Sequence, residues 1–266
     1  MGRLALLAGA GDLPERLASC VPDALCIGFA GVDHKLGTRA QIHRFEKMGA
    51  LFETLKAQGV KDVVMAGAMS RPPLDPDAFD AVMTALAPRL MTAMQGGDDA
   101  LLRTVVAIFE EQGFAVRGAH EIDPALTAEP GVLAGAPLTG AQQGDALRAA
   151  DILRALGPLD VGQGAVAEGG VCLGIETLQG TDALFGFVAA TPKHLRRGAG
   201  VFVKAPKAGQ DLRVDMPAIG PQTVRAAHDA GLSAIVIAAG AVLMVHRDET
   251  CALADTLGLS LIAQEL

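Results

Sequence analysis

Tryptophan and tyrosine are absent from the 266 residues of this chain, so its nine phenylalanines are its only aromatic residues. Proteins that stack on nucleic-acid bases or sugar rings usually rely on several aromatic side chains. This composition therefore argues against single-strand binding and against most lectin functions. The formal net charge of -8 also opposes general attraction to phosphate backbones or an anionic bilayer. We expect no nucleic-acid partner, and any anion binding must be local.

Several common catalytic and structural motifs are also missing. The four cysteines are scattered without short paired spacings, which argues against a disulfide framework and a zinc knuckle and favours a reducing, cytoplasmic compartment. The six histidines form no HxH or HExxH pattern, and no serine lies in a Gly-x-Ser-x-Gly elbow. The longest uncharged stretch, Ala230 to Val245, is too short to span a bilayer. We interpret it as two buried strands around a turn.

The chain is apolar enough and long enough for two globular domains, since half of its residues are hydrophobic. In the first half, short apolar runs alternate with helical patterns, which predicts an α/β domain with a Rossmann-like parallel sheet. The predicted strands are Leu4–Ala8, Ala24–Phe29, Asp62–Ala66 and Phe114–Arg117, and the predicted helices are Leu13–Cys20, Phe45–Gln58 and Asp98–Gln112.

A segment rich in glycine and proline, Glu129 to Gly140, is the best linker candidate. We therefore place the domain boundary near 133, giving domains 1–132 and 133–266. The second half begins with a predicted helix, Asp145–Leu156, and then becomes richer in strands, which predicts an α/β domain with a mixed sheet. Its predicted strands include Gly200–Lys204 and Asp211–Met216, and predicted helices begin at Thr181, Pro221 and Glu249.

A glycine turn follows the first predicted strand and is the first candidate binding site. Gly9, Gly11 and Asp12 precede a helix, so their backbone N–H groups and the helix dipole could receive a phosphate or another anion. The turn resembles a dinucleotide fingerprint, with Asp33 at the distance of a ribose-binding acid, but Pro14 stands where a third glycine or alanine is expected. A tight strand-to-helix turn without a ligand explains the pattern equally well.

Other candidate residues lie at predicted helix starts and at the end of a strand. Asp98 and Asp99 suggest a metal pair, although helix capping explains them better. Capping is also the better explanation of Asp182, with a functional role as the alternative. The segment from Ala183 to Gln210 contains five basic residues and no acid. Two of them, Lys204 and Lys207, follow an apolar strand at the edge where α/β sheets bind ligands, and we expect them to bind an anion.

Charged and apolar residues alternate directly after these lysines. On a strand, this alternation would bring Asp211, Arg213 and Asp215 to one face. An exposed, salt-bridged strand is one interpretation. The other is a site for Mg²⁺ and phosphate, in which two carboxylates bind the metal and Arg213 neutralises phosphate oxygens. Thr223 lies in the first turn of the following predicted helix, whose N–H groups would point towards the same region.

The motifs together resemble those of a known family, the UDP-2,3-diacylglucosamine pyrophosphatases of the LpxI type. The most specific block runs from Lys204 to Thr223 and includes Gln210, and the resemblance extends from about residue 3 to about residue 263. The chain departs from the family pattern where it has Ala238-Ala239-Gly240 in place of Glu-Ala-Gly. The other matching motifs are Gly9-x-Gly11-x-x-Pro14, Gly97-Asp98-Asp99-Ala-Leu-Leu-Arg103, Asp160-Val-Gly-Gln163 and Gly180-Thr181-Asp182.

The resemblance implies a hydrolase of lipid A biosynthesis that works with Mg²⁺. Its substrate would be UDP-2,3-diacylglucosamine, bound in a cleft between two domains and cleaved to UMP and 2,3-diacylglucosamine 1-phosphate (lipid X), with water attacking the β-phosphorus. The enzyme would be cytoplasmic and peripheral to the inner face of the inner membrane, and a homo-oligomer is compatible with the sequence. For this reaction we expect Asp215, with help from Asp211, to bind the metal or orient the attacking water, and Lys204, Lys207 and Arg213 to stabilise the phosphate charge in catalysis. The expected substrate-binding residues are Gly9, Gly11, Asp12, Asp98, Asp99, Gln163, Thr181, Asp182, Gln210 and Thr223.

Two other functions stay open at this point. A dinucleotide-dependent oxidoreductase rests on the glycine turn and Asp33 alone. A nucleotide-binding or acyl-sugar-binding module would bind its ligand without turnover. Protection against thermal unfolding by NAD(P) but not by UDP or UMP would favour the oxidoreductase, and tight binding without hydrolysis would favour the binding module.

Overall fold

The computed structural model describes residues 2–69 and 73–266, which divide into two units. One unit comprises the described residues up to Pro124 together with Asp211–Asp215, and the other comprises Ala125–Gln210 and Met216–Leu266. The chain passes from the first unit to the second after Pro124. This point precedes the boundary near 133 that the composition predicts, because the glycine-rich segment itself contains a strand of the second unit. In the described residues, no helix is long and apolar enough to cross a membrane.

The first unit is built on a parallel sheet whose strand order, β3-β2-β1-β4-β5, is that of a Rossmann-like fold. Its central strands contain continuous apolar runs, such as 4–8 and 63–66, as expected for a sheet with helices on both faces. The strands are β1 (Arg3–Ala8), β2 (Leu25–Phe29), β3 (Gln41–His43), β4 (Val60–Ala66) and β5 (Ala115–Arg117).

The helices of the first unit pack against this sheet, except the third, which packs on the second and fourth helices. They are α1 (Leu13–Cys20), α2 (Met48–Ala57), α3 (Ala81–Gln95), α4 (Asp98–Glu111) and α5 (Ala119–Ile122). Phe52, Phe109 and Phe114 pack together in the core, with edge-to-face packing of Phe52 and Phe109 at 5.3 Å. The sequence predicts α1 with the observed bounds, but it does not predict α3, β3 or α5.

The second unit has a mixed sheet with strand order β6-β13-β11-β9-β7-β8, beside a two-stranded parallel sheet of β10 and β12. Strands β9, β11 and β13 are parallel, and β7 runs antiparallel to both β8 and β9. The strands are β6 (Gly131–Ala134), β7 (Gly164–Glu168), β8 (Val171–Ile175), β9 (Gly200–Lys204), β10 (Ala218–Ile219), β11 (Leu232–Ala238), β12 (Leu243–Met244) and β13 (Ser260–Gln264).

Helices cover both faces of the six-stranded sheet. Ala149 and Ala150 of one helix pack against Val201 and Val203 of β9, and the other helices pack on the opposite face around Phe202. The helices are α6 (Gly140–Leu156), α7 (Gly180–Ala189), α8 (Pro221–Asp229) and α9 (Arg247–Leu257). The α/β class, the Rossmann-like first sheet and the mixed second sheet are therefore confirmed.

Candidate functional site

A buried lysine lies at the carboxyl end of β9 in the second unit. Lys204 is 5% exposed, and its Nζ donates hydrogen bonds to Thr181 Oγ1 at 2.6 Å and to Glu176 Oε2 at 3.1 Å. The Thr181 hydroxyl in turn donates to Glu176 Oε2 at 3.1 Å. Burial of an ammonium group is costly unless an opposite charge accompanies it. The carboxylate of Glu176 supplies that charge, and the three side chains form one polar cluster.

The sheet topology explains why these residues meet. β8 and β9 both run antiparallel to the strand between them, β7, so Glu176 and Lys204 leave the sheet at the same edge. Gly164 makes room for the carboxylate, since a Cβ there would lie 2.5 Å from Glu176 Oε2. The carbonyl of Gln163 accepts a hydrogen bond from the Ala205 N–H at 2.9 Å, which places it beside the same loop. This is the edge at which α/β sheets hold ligands.

The second predicted lysine is held in the loop after β9. Lys207 Nζ is ion-paired with Asp160 Oδ1, and the Lys207 backbone N–H donates to Gln210 Oε1 at 2.9 Å. The Lys207 side chain is 17% exposed, whereas that of Asp160 is 57% exposed. The pair is therefore accessible to water, and an incoming phosphate could replace Asp160 as the partner of this ammonium group.

The predicted strand Asp211–Met216 is wrong, because residues Asp211–Asp215 form a turn that belongs to the first unit. The backbone N–H groups of Val214 and Asp215 both donate to the Asp211 carbonyl, at 3.2 and 3.0 Å. The N–H of Arg213 donates to Asp211 Oδ1 at 3.1 Å. Aspartate favours such turns by accepting a hydrogen bond from the N–H two residues on. Strand alternation therefore does not place the two carboxylates, Asp211 and Asp215, on one face.

Arginine and aspartate form a bidentate pair inside this turn. Arg213 Nε donates to Asp211 Oδ1 at 2.9 Å, and a terminal nitrogen donates to Oδ2 at 2.7 Å. The other terminal nitrogen of Arg213 donates to Glu110 of α4 at 2.8 Å. These bonds tie the turn to the helix. They also raise the pKa of Arg213, so the guanidinium stays charged.

A second arginine, Arg103 of α4, also affects this turn. Hydrogen bonds from Arg213 hold the pKa of the Asp211 carboxyl below its ordinary value against the opposing effect of burial, and the positive charge of Arg103 lowers it further. Arg103 is itself paired with Asp99, one turn earlier in the helix, at 2.7 Å. The structure therefore brings the predicted residues Asp99, Asp211 and Arg213 into one charged network.

The glycine turn after β1 uses part of its hydrogen-bonding capacity within the first unit. The N–H of Gly9 donates to the Ala66 carbonyl at 2.7 Å, and the N–H of Ala10 donates to the Ala68 carbonyl at 2.7 Å. A Cβ on Gly9 would lie 2.6 Å from the Ala68 carbonyl oxygen, so only glycine allows this approach. A dinucleotide pyrophosphate needs such N–H groups, so their use here weighs against the oxidoreductase interpretation.

The remaining predicted residues lie at turns and helix starts of their own units. Asp12 precedes α1 and is ion-paired with Lys35 at 2.6 Å, next to Gly11, whose φ is +99°. Asp98 and Asp182 lie in the first turns of α4 and α7, and Thr223 Oγ1 accepts a hydrogen bond from the Gly220 N–H at the start of α8. The structure thus distributes the predicted set over both units.

An apolar cavity of about 250 Å³ opens in the first unit beside the turn Asp211–Asp215. Val214 lines it from the turn, and α3 and α4 supply half of the other lining residues, among them Leu86, Leu90 and Leu102. This cavity was not predictable from the sequence, because the sequence pattern does not predict α3. Glu176 and Glu110 were not predicted as site residues either, since no local spacing links either residue to its partner.

Comparison with known proteins agrees with the motifs. Residues 3–126 match the LpxI N-terminal domain, and residues 129–262 match the LpxI C-terminal domain. The chain is 39% identical over 270 residues to a protein of Caulobacter vibrioides named UDP-2,3-diacylglucosamine pyrophosphatase LpxI, covering 97% of this chain and 96% of that relative. The resemblance seen in the motifs is thereby confirmed, and the chain belongs to the LpxI family.

Proposed function

We propose that this protein hydrolyses the pyrophosphate of UDP-2,3-diacylglucosamine to UMP and lipid X in lipid A biosynthesis. The structural observation that carries the proposal is the turn Asp211–Asp215, which combines two chemistries. It carries Arg213 and two aspartates, whereas Val214 lines the apolar cavity. A substrate that is a polyanion at one end and an acyl chain at the other matches this combination, and family membership supplies the identity of that substrate.

Three cationic side chains are assigned to the phosphate charge. Negative charge grows on the phosphoryl oxygens as water attacks, and positioned cations stabilise it most effectively where water is largely excluded. Lys204 is buried and Lys207 is mostly buried, while Arg213 presents a planar guanidinium suited to phosphate oxygens. Glu176 and Thr181 act as positioning residues, because they fix the Lys204 ammonium at the sheet edge.

A divalent metal is assigned to Asp215, with Asp211 as its second carboxylate. In the part of the chain that the structure describes, no group of three or more His, Cys, Asp or Glu side chains is arranged to hold a metal. This donor set still fits Mg²⁺, which commonly takes one or two carboxylates and fills its other positions with substrate phosphate and water. A bound Mg²⁺ would neutralise phosphate charge, and Asp211 would have to exchange Arg213 for the metal.

Orientation of the attacking water and contacts with the substrate are assigned to individual residues. Asp215 orients the attacking water towards the β-phosphorus, which stays with the sugar, so UMP is the leaving group. Gln163, Gln210 and Thr223 are assigned to substrate contacts in the second unit. Gly9, Gly11, Asp12, Asp98, Asp99, Thr181 and Asp182 complete the proposed substrate-binding set.

The apolar cavity is assigned to an acyl chain of the substrate. Its lining is almost entirely hydrophobic, as expected for a pocket that takes a hydrocarbon chain from water or lipid. Because the substrate is itself a membrane lipid, we place the enzyme at the cytoplasmic face of the inner membrane as a peripheral protein.

The test is hydrolysis of radiolabelled UDP-2,3-diacylglucosamine with and without Mg²⁺, by this protein and by Asp215→Ala. We expect metal-dependent UMP release that falls by a factor of about 100 or more in the variant. Release that persists in the variant would move the metal role to another residue. No release by the unmodified protein would contradict the activity and favour a binding module.

The point of attack has its own experiment. Hydrolysis in water labelled with the heavy oxygen isotope should place the label in lipid X, because the water oxygen bonds to the β-phosphorus. Label in UMP would show attack at the other phosphorus and would overturn this part of the proposal.

A further inference from the structure

The outward surface of α7 is unusually apolar for a helix at a protein surface. Leu184, Phe185 and Val188 are buried against the sheet, as expected for an amphipathic helix. Phe187 lies at the side of this buried face, over Gly174 of β8, and is 66% exposed, and Asp182 in the first turn is the only charged residue of the helix. A helix that is hydrophobic on all sides is ordinarily buried in protein or lipid. This surface is therefore suited to a partner.

A basic loop follows the helix directly. Lys193, His194 and Arg197 are exposed, and Leu195 between them is 56% exposed. No Asp or Glu occurs between residues 183 and 210, in a chain whose net charge is -8. The loop is therefore locally positive, whereas the chain as a whole is negative.

Two contacts fix this loop against the second unit. Arg196 is ion-paired with the buried carboxylate of Glu168 at 2.7 Å, so it does not contribute a net charge to the surface. Arg197 donates to the Gly169 carbonyl at 3.2 Å, beside the turn between β7 and β8, and still remains exposed. The exposed basic groups thus stand on an ordered loop immediately after the apolar helix.

We propose that this apolar-basic surface, formed by Phe187, Leu195, Lys193 and Arg197, docks the protein on an anionic lipid bilayer. Apolar side chains that enter the headgroup region together with Lys and Arg residues that meet lipid phosphates are the usual means of peripheral binding. The negative charge of the remainder of the chain turns other faces away from the same bilayer.

Charge also decides between a bilayer and a second copy of this chain. A two-fold symmetric dimer pairs a surface patch with itself. Lys193 and Arg197 would then face their own copies without an acid between 183 and 210 to balance them. An anionic bilayer supplies the opposite charge. The inference rests on exposure and charge, and it goes beyond the proposed hydrolysis because it concerns residues that take no part in that reaction.

The experiment measures sedimentation of the full-length protein with vesicles of phosphatidylcholine alone and with vesicles that also contain phosphatidylglycerol. Phe187→Glu and Leu195→Glu should each weaken binding to the anionic vesicles about tenfold. Arg197→Glu should weaken it about fivefold or more, and added salt should act in the same direction. Met91→Glu is the matched control, since Met91 of α3 is 65% exposed but belongs to the other unit.

Hydrolysis of detergent-dispersed substrate is measured in parallel and should be unchanged in all four variants. If a variant loses hydrolysis but binds vesicles normally, the result counts against the proposed activity and leaves the docking proposal supported. Equal binding to both vesicle types, no binding to either, or equal weakening by Met91→Glu would overturn the docking proposal. A dimer in light scattering that Phe187→Glu dissociates, with vesicle binding unchanged, would assign the surface to self-association instead.

Discussion

Replacement of Lys204 by methionine separates the structural from the catalytic contribution of the buried polar cluster. Methionine keeps much of the apolar stem of lysine but removes the ammonium group. Glu176, whose side chain is 12% exposed, is then left with only the Thr181 hydroxyl as a hydrogen-bond donor in the cluster. Removing one partner of a buried ion pair costs about 3–5 kcal/mol. Because Thr181 still donates, we expect about 3 kcal/mol for Lys204→Met.

The matched variant combines Lys204→Met with Glu176→Gln, so that neither charge remains. Replacing both partners of a buried pair by neutral groups is often close to neutral for stability. The double variant should therefore be less destabilised than Lys204→Met, by about 2 kcal/mol, an interaction energy that a double-mutant cycle measures. Hydrolysis should not recover with stability. Loss of a cation that stabilises transition-state charge should lower kcat about 100-fold to 1,000-fold in both variants.

Urea unfolding followed by far-ultraviolet circular dichroism measures the stabilities, because a chain without tryptophan and tyrosine offers no useful intrinsic fluorescence. Initial rates of UMP release measure the activity. The reasoning is refuted if Lys204→Met is as stable as the unmodified protein. It is also refuted if the double variant regains hydrolysis together with stability, since the lysine would then serve only the fold.

Three further outcomes follow from other contacts. Burial raises the pKa of Glu168, but hydrogen bonds from Arg196 and from the N–H groups of Arg197 and Gly198 outweigh it, so the pKa lies below the ordinary 4.5. The stability that Glu168 contributes is present above that ordinary value and is lost as pH falls through the lowered one. Urea unfolding should therefore show Glu168→Gln to be less stable than the unmodified protein at neutral pH, with the two converging in acid. Arg213→Lys removes the bidentate pair, so the pKa of Asp211 should rise towards its ordinary value in a carbon-13 NMR titration, and an unchanged pKa would contradict the assigned cause. Leu90→Trp should fill part of the apolar cavity and raise KM for long-chain substrate more than for a short-chain analogue, whereas equal effects would remove the acyl chain from this cavity.

Strands and helices with strong local patterns could be predicted from the sequence. The run Gly200-Val-Phe-Val-Lys204 is apolar up to its last residue, and β9 has these bounds. α1 was likewise predictable, because Pro14 marks its first turn. Helix α3 was not, since Pro88 lies in its interior and proline ordinarily interrupts a helix.

The contacts of the candidate site depend on information that local patterns do not hold. Alternation over Asp211–Met216 fits a strand, but the same residues form a turn because the Asp211 side chain bonds to the N–H of Arg213. Glu176 meets Lys204 only because the strand between them is β7, and strand order is a property of the whole sheet. The candidate residue types were therefore predictable, whereas their partners were not.

In the turn Asp211–Asp215, adjacent residues are assigned to the phosphates and to the acyl chain of the substrate. Arg213 is fixed by Asp211 and Glu110, and its neighbour Val214 lines the apolar cavity, so a shift of the turn moves a cation and a hydrophobic wall together. A free nucleotide would use only the charged side of the turn, and a fatty acid would use mainly the apolar side. Contributions from the phosphates and the acyl chain should therefore be coupled rather than additive, as expected for groups that share a structural element. Shortening the acyl chain should then cost less binding energy in Arg213→Lys, where the turn is already loosened, than in the unmodified protein.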